Sequence, residues 1–206
     1  MLKTIRDATL LEFELPAMPL PHRPASARGL PATLPAVFAG LLALAACDQG
    51  PSTVTPYMHP SGSFDFLIAA TRNEGPLYME IDGDPFGEGE ALESQVTAVM
   101  EKALQSRVLQ LTTEQDAAED PAFRLVLVFN SPNIGEVLAF CSRQPEGGPP
   151  TSAERIELRA GFCRGDDLLA AVDGWVEDAA GTADPRFEQL MRQVVRDLFT
   201  RRRSDD

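Results

Sequence analysis

The sequence predicts an α+β domain: a single antiparallel or mixed β-sheet with two amphipathic helices packed on one face. Three observations carry this. Phe123–Phe129 is nearly continuous apolar sequence, the mark of a central strand covered on both sides or paired deep in a sheet. Arg155–Cys163 alternates, which puts Ile156, Leu158, Ala160 and Phe162 on one side of a strand. Residues 184–199 open with Asp184 as an N-cap and Pro185 at the first helical position, then bring Phe187, Leu190, Met191, Val194, Val195, Leu198 and Phe199 onto one helical stripe.

The remaining elements follow in chain order. Asp48 to Ser63 is rich in Pro, Ser, Thr and Gly and reads as a flexible tether from residue 47 to 63, with His59 inside it. Phe64 to Thr71 and Leu77 to Ile81 read as two strands separated by a turn at Asn73, Gly75 and Pro76. Glu90 to Arg107 reads as a helix, because Leu92, Val96, Val99 and Ala103 recur at helical spacing. The polar stretch 111–121 reads as a loop. Gly165-Asp166-Asp167 can turn the chain into a further strand over Leu168 to Val176, where Trp175 is expected to be a partly buried strand residue. Arg201 to Arg203 close the last helix, where cations favour the helix dipole. The domain proper is thus expected over 64–206.

Composition narrows the function classes. The chain has 206 residues, 44% hydrophobic and 24% charged, an ordinary globular balance. Its formal charge is -13. Only Asp7, Glu12 and Glu14 among the acids, and Lys3, Arg6, Arg23 and Arg28 among the bases, precede Cys47, so the acidity belongs to the later part. Such a surface repels phosphate backbones, and no nucleic-acid partner is expected.

The leader carries the strongest signal. Gly29 to Cys47 has no charge, Arg23 and Arg28 stand before it, and it ends in small residues: the three parts of a secretory signal peptide over 1–46. Pro31, Pro35 and Gly40 interrupt the run, which weakens the alternative of a membrane-spanning helix. Ordinary cleavage near Ala45 or Ala46 is the other alternative. Leu44-Ala45-Ala46-Cys47 resembles the lipobox of bacterial lipoproteins. That resemblance implies lipid on Cys47, cleavage just before it, and a membrane as partner through that lipid. Met1 to Ala17 is acidic where a leader should be basic, so Met18 is the expected translation start. Asp48 nudges the location toward the inner membrane without deciding it.

If lipid takes Cys47, the remaining Cys141 and Cys163 can pair in an oxidising periplasm; two inert buried thiols are the alternative. A plain hairpin of 137–142 with 155–163 would hold them some 20 Å apart, too far for a bond. The preferred solution pairs 155–163 with 123–129 and lets 131–154 loop back.

Asp82, Asp84, Glu90 and Glu93, with Gly87 between them, match several positions of an EF-hand calcium loop. Phe86 stands where a ligand is needed and a strand precedes the loop. The competing reading is a strand-to-helix turn with acids in the first helical turn. For catalysis, His59 is the only histidine after Cys47, and no nucleophile motif, zinc motif or phosphate loop is present. No catalytic residue and no cofactor are implied. Ile81-Asp-Gly-Asp-Pro-Phe86, Phe162-Cys-Arg-Gly-Asp166 and Asp184-Pro-Arg-Phe187 resemble a set of small proteobacterial envelope proteins with no assigned activity. The expected function is a lipid-anchored, periplasm-facing accessory or protein-interaction module with an envelope partner. The alternatives are a small-ligand or cation-binding domain and, behind it, a carboxylate-dependent hydrolase.

Overall fold

Among the described residues a six-stranded mixed sheet organises the chain, with its strands, numbered along the sequence, lying in the order first, sixth, fifth, fourth, second, third. The computed structural model describes residues 50–73, 75–104, 109–143, 145–149 and 155–200. The leader with Met18, the lipobox residues Leu44, Ala45, Ala46 and Cys47, and Arg201–Arg203 lie outside the described residues.

The chain enters the sheet earlier than its composition implies. Ser52–Met58, expected within the tether, is strand β1, antiparallel to the strand near the C-terminus. Pro56 is tolerated because β1 is an edge strand and the register shifts between Val54 and Tyr57, so no ladder donor is needed there. The Thr53 hydroxyl donates to Asp197 Oδ2 at 2.6 Å, and His59 N donates to the Leu169 carbonyl at 2.8 Å. A second correction follows at once. Phe64–Ala70, expected as a strand, is helix α1; Phe64, Leu67 and Ala70 recur every three residues on its buried side. The Ser63 hydroxyl donates to the Leu198 carbonyl, fixing the start of α1 to the end of the last helix.

Strand β2 (Leu77–Asp82), helix α2 (Glu90–Glu101) and strand β4 (Phe123–Phe129) form a β-α-β unit, with β2 and β4 parallel. The polar stretch expected as a loop contains a short parallel strand, β3 (Leu111–Thr112), at the far edge, and a 3₁₀ turn over Gln115–Ala117. β4 is buried except at Arg124, as its continuous apolar sequence predicts.

Between β4 and the next strand the chain crosses to the other side of the sheet. It makes a 3₁₀ turn (Val137–Ala139) and helix α3 (Phe140–Arg143). It then returns beside the ends of β2 and β4. Gly148 N donates to the Phe129 carbonyl at 2.8 Å, and a Cβ on Gly148 would lie 2.0 Å from the Asn130 carbonyl oxygen. A Cβ on Gly147 would lie 2.2 Å from Gly83 N, so two glycines are needed for this close approach.

β5 (Arg155–Arg164) and β6 (Asp167–Glu177) form an antiparallel hairpin turning at Gly165, whose φ is +55°. β5 also pairs with β4, Arg124 opposite Cys163. Helix α4 (Pro185–Leu198) completes the fold. Its N-cap Asp184 accepts from Arg186 N at 2.9 Å through Oδ1 and from Ala180 N at 3.0 Å through Oδ2.

One core lies between one face of the sheet and helices α1, α2 and α4; it gathers Leu125, Leu127, Phe129, Leu158, Ala160 and Phe162 with the whole stripe of α4. The two amphipathic helices expected on one face are α2 and α4. A smaller core lies on the opposite face, where Phe140 and Cys141 of α3 meet Val126, Val128, Cys163, Leu168 and Ala171. Phe140 rests on Gly161, where a Cβ would lie 2.5 Å from its ring.

Candidate functional site

The second sheet face is covered by α3 at one end and left open at the other. Alternation sends Val128 of β4, Arg155, Glu157 and Arg159 of β5, Asp173 and Trp175 of β6, and Val54 of β1 to that open part. Together with the wall at Asn130, Ser131 and Ile134 they enclose a depression of about 260 Å³.

Its floor is an ion pair. Arg159 is only 8% exposed, and its guanidinium binds Asp173 through two parallel hydrogen bonds, Nε to Oδ1 at 2.5 Å and Nη2 to Oδ2 at 2.8 Å. Its remaining arm donates from Nη1 to the Gly135 carbonyl at 3.1 Å, which ties the 131–136 wall down to the sheet. At the mouth, the Arg155 guanidinium lies over the Trp175 ring at 4.9 Å and pairs with Glu157 at 3.2 Å. Asn130 has a positive φ of 48° and exchanges two bonds with Glu157: Asn130 N to the Glu157 carbonyl, and Glu157 N to Asn130 Oδ1, both 2.9 Å. Asn130 Nδ2 is buried with no partner among the described residues. A second depression, of about 330 Å³, lies behind the same wall, between Ile134 and the residues Phe140, Arg143 and Glu146.

Beyond α3 the same face carries Tyr78, Glu80 and Arg124. Burial, then the neighbouring Glu80 carboxylate, pushes the Tyr78 phenol up. Arg124 bonds the Gly165 carbonyl at 2.8 Å and the Cys141 carbonyl at 2.9 Å, holding α3 against the β5–β6 turn.

Of the residues singled out from sequence, Cys141 and Cys163 are brought together, with S–S 2.02 Å and Cα–Cα 5.8 Å. The arrangement that permits this is the β4–β5 pairing, with 131–149 looping back; the hairpin of 137–142 with 155–163 does not form, since 137–143 is helical. Asp82, Asp84, Glu90 and Glu93 are not gathered into a site. Asp84 turns inward on its own loop, accepting from Phe86 N at 3.1 Å, Gly87 N at 2.8 Å and Gly89 N at 2.6 Å. Asp82, Glu90 and Glu93 are exposed. Among the described residues no three His, Cys, Asp or Glu side chains converge as metal ligands. The stretch leads from β2 into α2, with Glu90 and Glu93 in the first helical turn. His59 directly follows β1 rather than lying in a tether; its Nδ1 accepts from Ser61 N at 3.2 Å and its ring meets Phe66 edge-on at 5.1 Å.

The depression was not legible in the sequence, because its lining comes from four strands and a loop. The one available signal was Arg159 within an otherwise apolar stretch of β5, a charge that burial obliges to find a partner.

No protein-family model matches this chain, and comparison with curated proteins gives no match.

Proposed function

We propose that the chain is an exported, lipid-anchored domain of the bacterial cell envelope, facing the periplasm and working by binding rather than by catalysis. The observation that carries this reading is the Cys141–Cys163 bond. It commits both cysteines that follow Cys47 to each other, a pairing at home in an oxidising compartment. Cys47 is left as the one thiol of the chain available to lipid, at the end of Leu44-Ala45-Ala46-Cys47. No helix among the described residues is long and apolar enough to cross a membrane.

Binding is favoured over turnover by how the depression is made. Arg159 and Asp173 bind one another, and the backbone N–H and Oδ1 of Asn130 bind Glu157, so these groups act as struts. An exposed apolar side chain flanks them: Val54 is 49% exposed. A rigid polar floor with an apolar edge suits contact at an interface rather than turnover. A small ligand in the depression is the second reading, favoured by its concave shape and mixed lining.

Intact mass of the protein purified from membranes tests the first reading. The expected mass is that of residues 47–206 plus acyl chains, with two hydrogens gained on reduction. An uncut chain with three free thiols would refute it.

A further inference from the structure

The chain enters the sheet at one corner. Ser52, the first residue of β1, is registered against Trp175, and Trp175 against Glu157. Trp175 is the single tryptophan of the sequence, half-buried, with Arg155 over its ring. Val54 lies on the same side, two residues along β1 and opposite Asp173.

We propose that this corner, formed by Trp175, Arg155 and Val54, sits in the headgroup layer of the membrane that holds the chain. This rests on the reading of Cys47 as the lipid-bearing residue. Two arguments converge on it. The first is reach. From Cys47 to Ser52 the chain spans at most about 18 Å, and one inter-strand spacing adds about 5 Å. Trp175 is therefore confined close to the anchored residue, and a long stalk is ruled out because β1 begins so early.

The second argument is chemical. An indole offers an apolar body with one polar N–H, and an arginine offers apolar methylenes with a charged tip; both are stable where hydrocarbon gives way to headgroups. Arg155 keeps 43% of its side chain exposed beside Glu157, so its guanidinium can meet a lipid phosphate.

The test uses the single tryptophan. The chain from residue 47 onward is coupled through the Cys47 thiol to a maleimide lipid, in vesicles of phosphatidylethanolamine and phosphatidylglycerol. Some vesicles carry lipids brominated near the glycerol, others lipids brominated near the acyl terminus. Trp175 emission is expected to shift to the blue and to lose more intensity to the shallow bromines than to the deep ones. Arg155→Ala and Val54→Ser, with far-UV circular dichroism unchanged, are expected to reverse most of that loss. Emission unaffected by either brominated lipid would overturn the docking. The intact mass of the native protein reports separately on the anchor. Acyl chains without quenching leave the anchor standing and remove only the docking; quenching without native acyl chains removes only the anchor.

Discussion

Arg159 and Asp173 face each other directly across β5 and β6 and close two hydrogen bonds at 2.5 and 2.8 Å, on the sheet face that α3 leaves open. Removing one partner strands the other. Asp173→Ala is expected to cost on the order of 3 kcal/mol, because Arg159 would remain buried and unpaired. Replacing both, Arg159→Met with Asp173→Leu, should recover most of that loss. Urea denaturation of the single and double variants measures the difference.

Asp184 couples the last helix to pH. The Arg186 side chain, aided by the backbone N–H groups of Ala180 and Arg186, holds its carboxyl well below the usual carboxylate range against the opposing effect of burial. A depressed folded-state value means that its stabilisation is complete above about pH 4, the unfolded value. It is then lost as pH falls toward the folded value. Asp184→Asn keeps a capping oxygen but no charge. Its melting temperature should lie below the parent's at pH 6, with the gap closing under strong acid. A gap that widens on acidification would contradict this.

The Cys141–Cys163 bond spans a sequence separation of 22 residues and pins α3 to β5. Cys141→Ser with Cys163→Ser is expected to lower stability by about 3 kcal/mol. Reduction of the parent should bring it to the same melting temperature as the double variant. If reduction left thermal unfolding unchanged, α3 would be held by Arg124 and Phe140 alone.

Gly148 passes so close to Asn130 that no Cβ fits. Gly148→Ala should cost about 1–3 kcal/mol through backbone displacement. Gly50→Ala, where nothing lies within 4 Å, should be neutral. Guanidinium midpoints for the two variants decide the matter.

The early strand yields a truncation test. A chain beginning at Ser63 lacks β1, and with it the Thr53–Asp197 bond and the outer row of the sheet. It should lose cooperative thermal unfolding, whereas one beginning at Gly50 should keep it. Equal melting of the two would show β1 to be dispensable.

The elements that read correctly from sequence are those whose environment imposes a single period. α4 buries one stripe, and β4 is buried on nearly every position because α3 covers its second face. β1 was missed because an edge strand half open to solvent needs no apolar alternation, and Pro56 reads as a breaker unless the strand is known to be an edge. α1 was misread because Phe64, Phe66 and Ile68 alternate over a stretch too short to separate the two periods; the buried set is Phe64, Leu67 and Ala70. The acidic run 82–93 looked like an ion loop because sequence does not show whether a carboxylate faces a cation or its own backbone, as Asp84 does. The depression depends on cross-strand register, which no single segment encodes.

The order of the strands also sets a schedule for synthesis. β1 leaves the ribosome first among the strands, yet its only partner, β6, is the last of them to emerge. Until Glu177 has been made the opening strand has no seat, and until α4 follows Thr53 has no aspartate to bond. The sheet therefore closes late, by a contact distant along the chain, which slows folding. A growing chain of this design stays unlocked for most of its synthesis, the state in which a polypeptide can still be threaded.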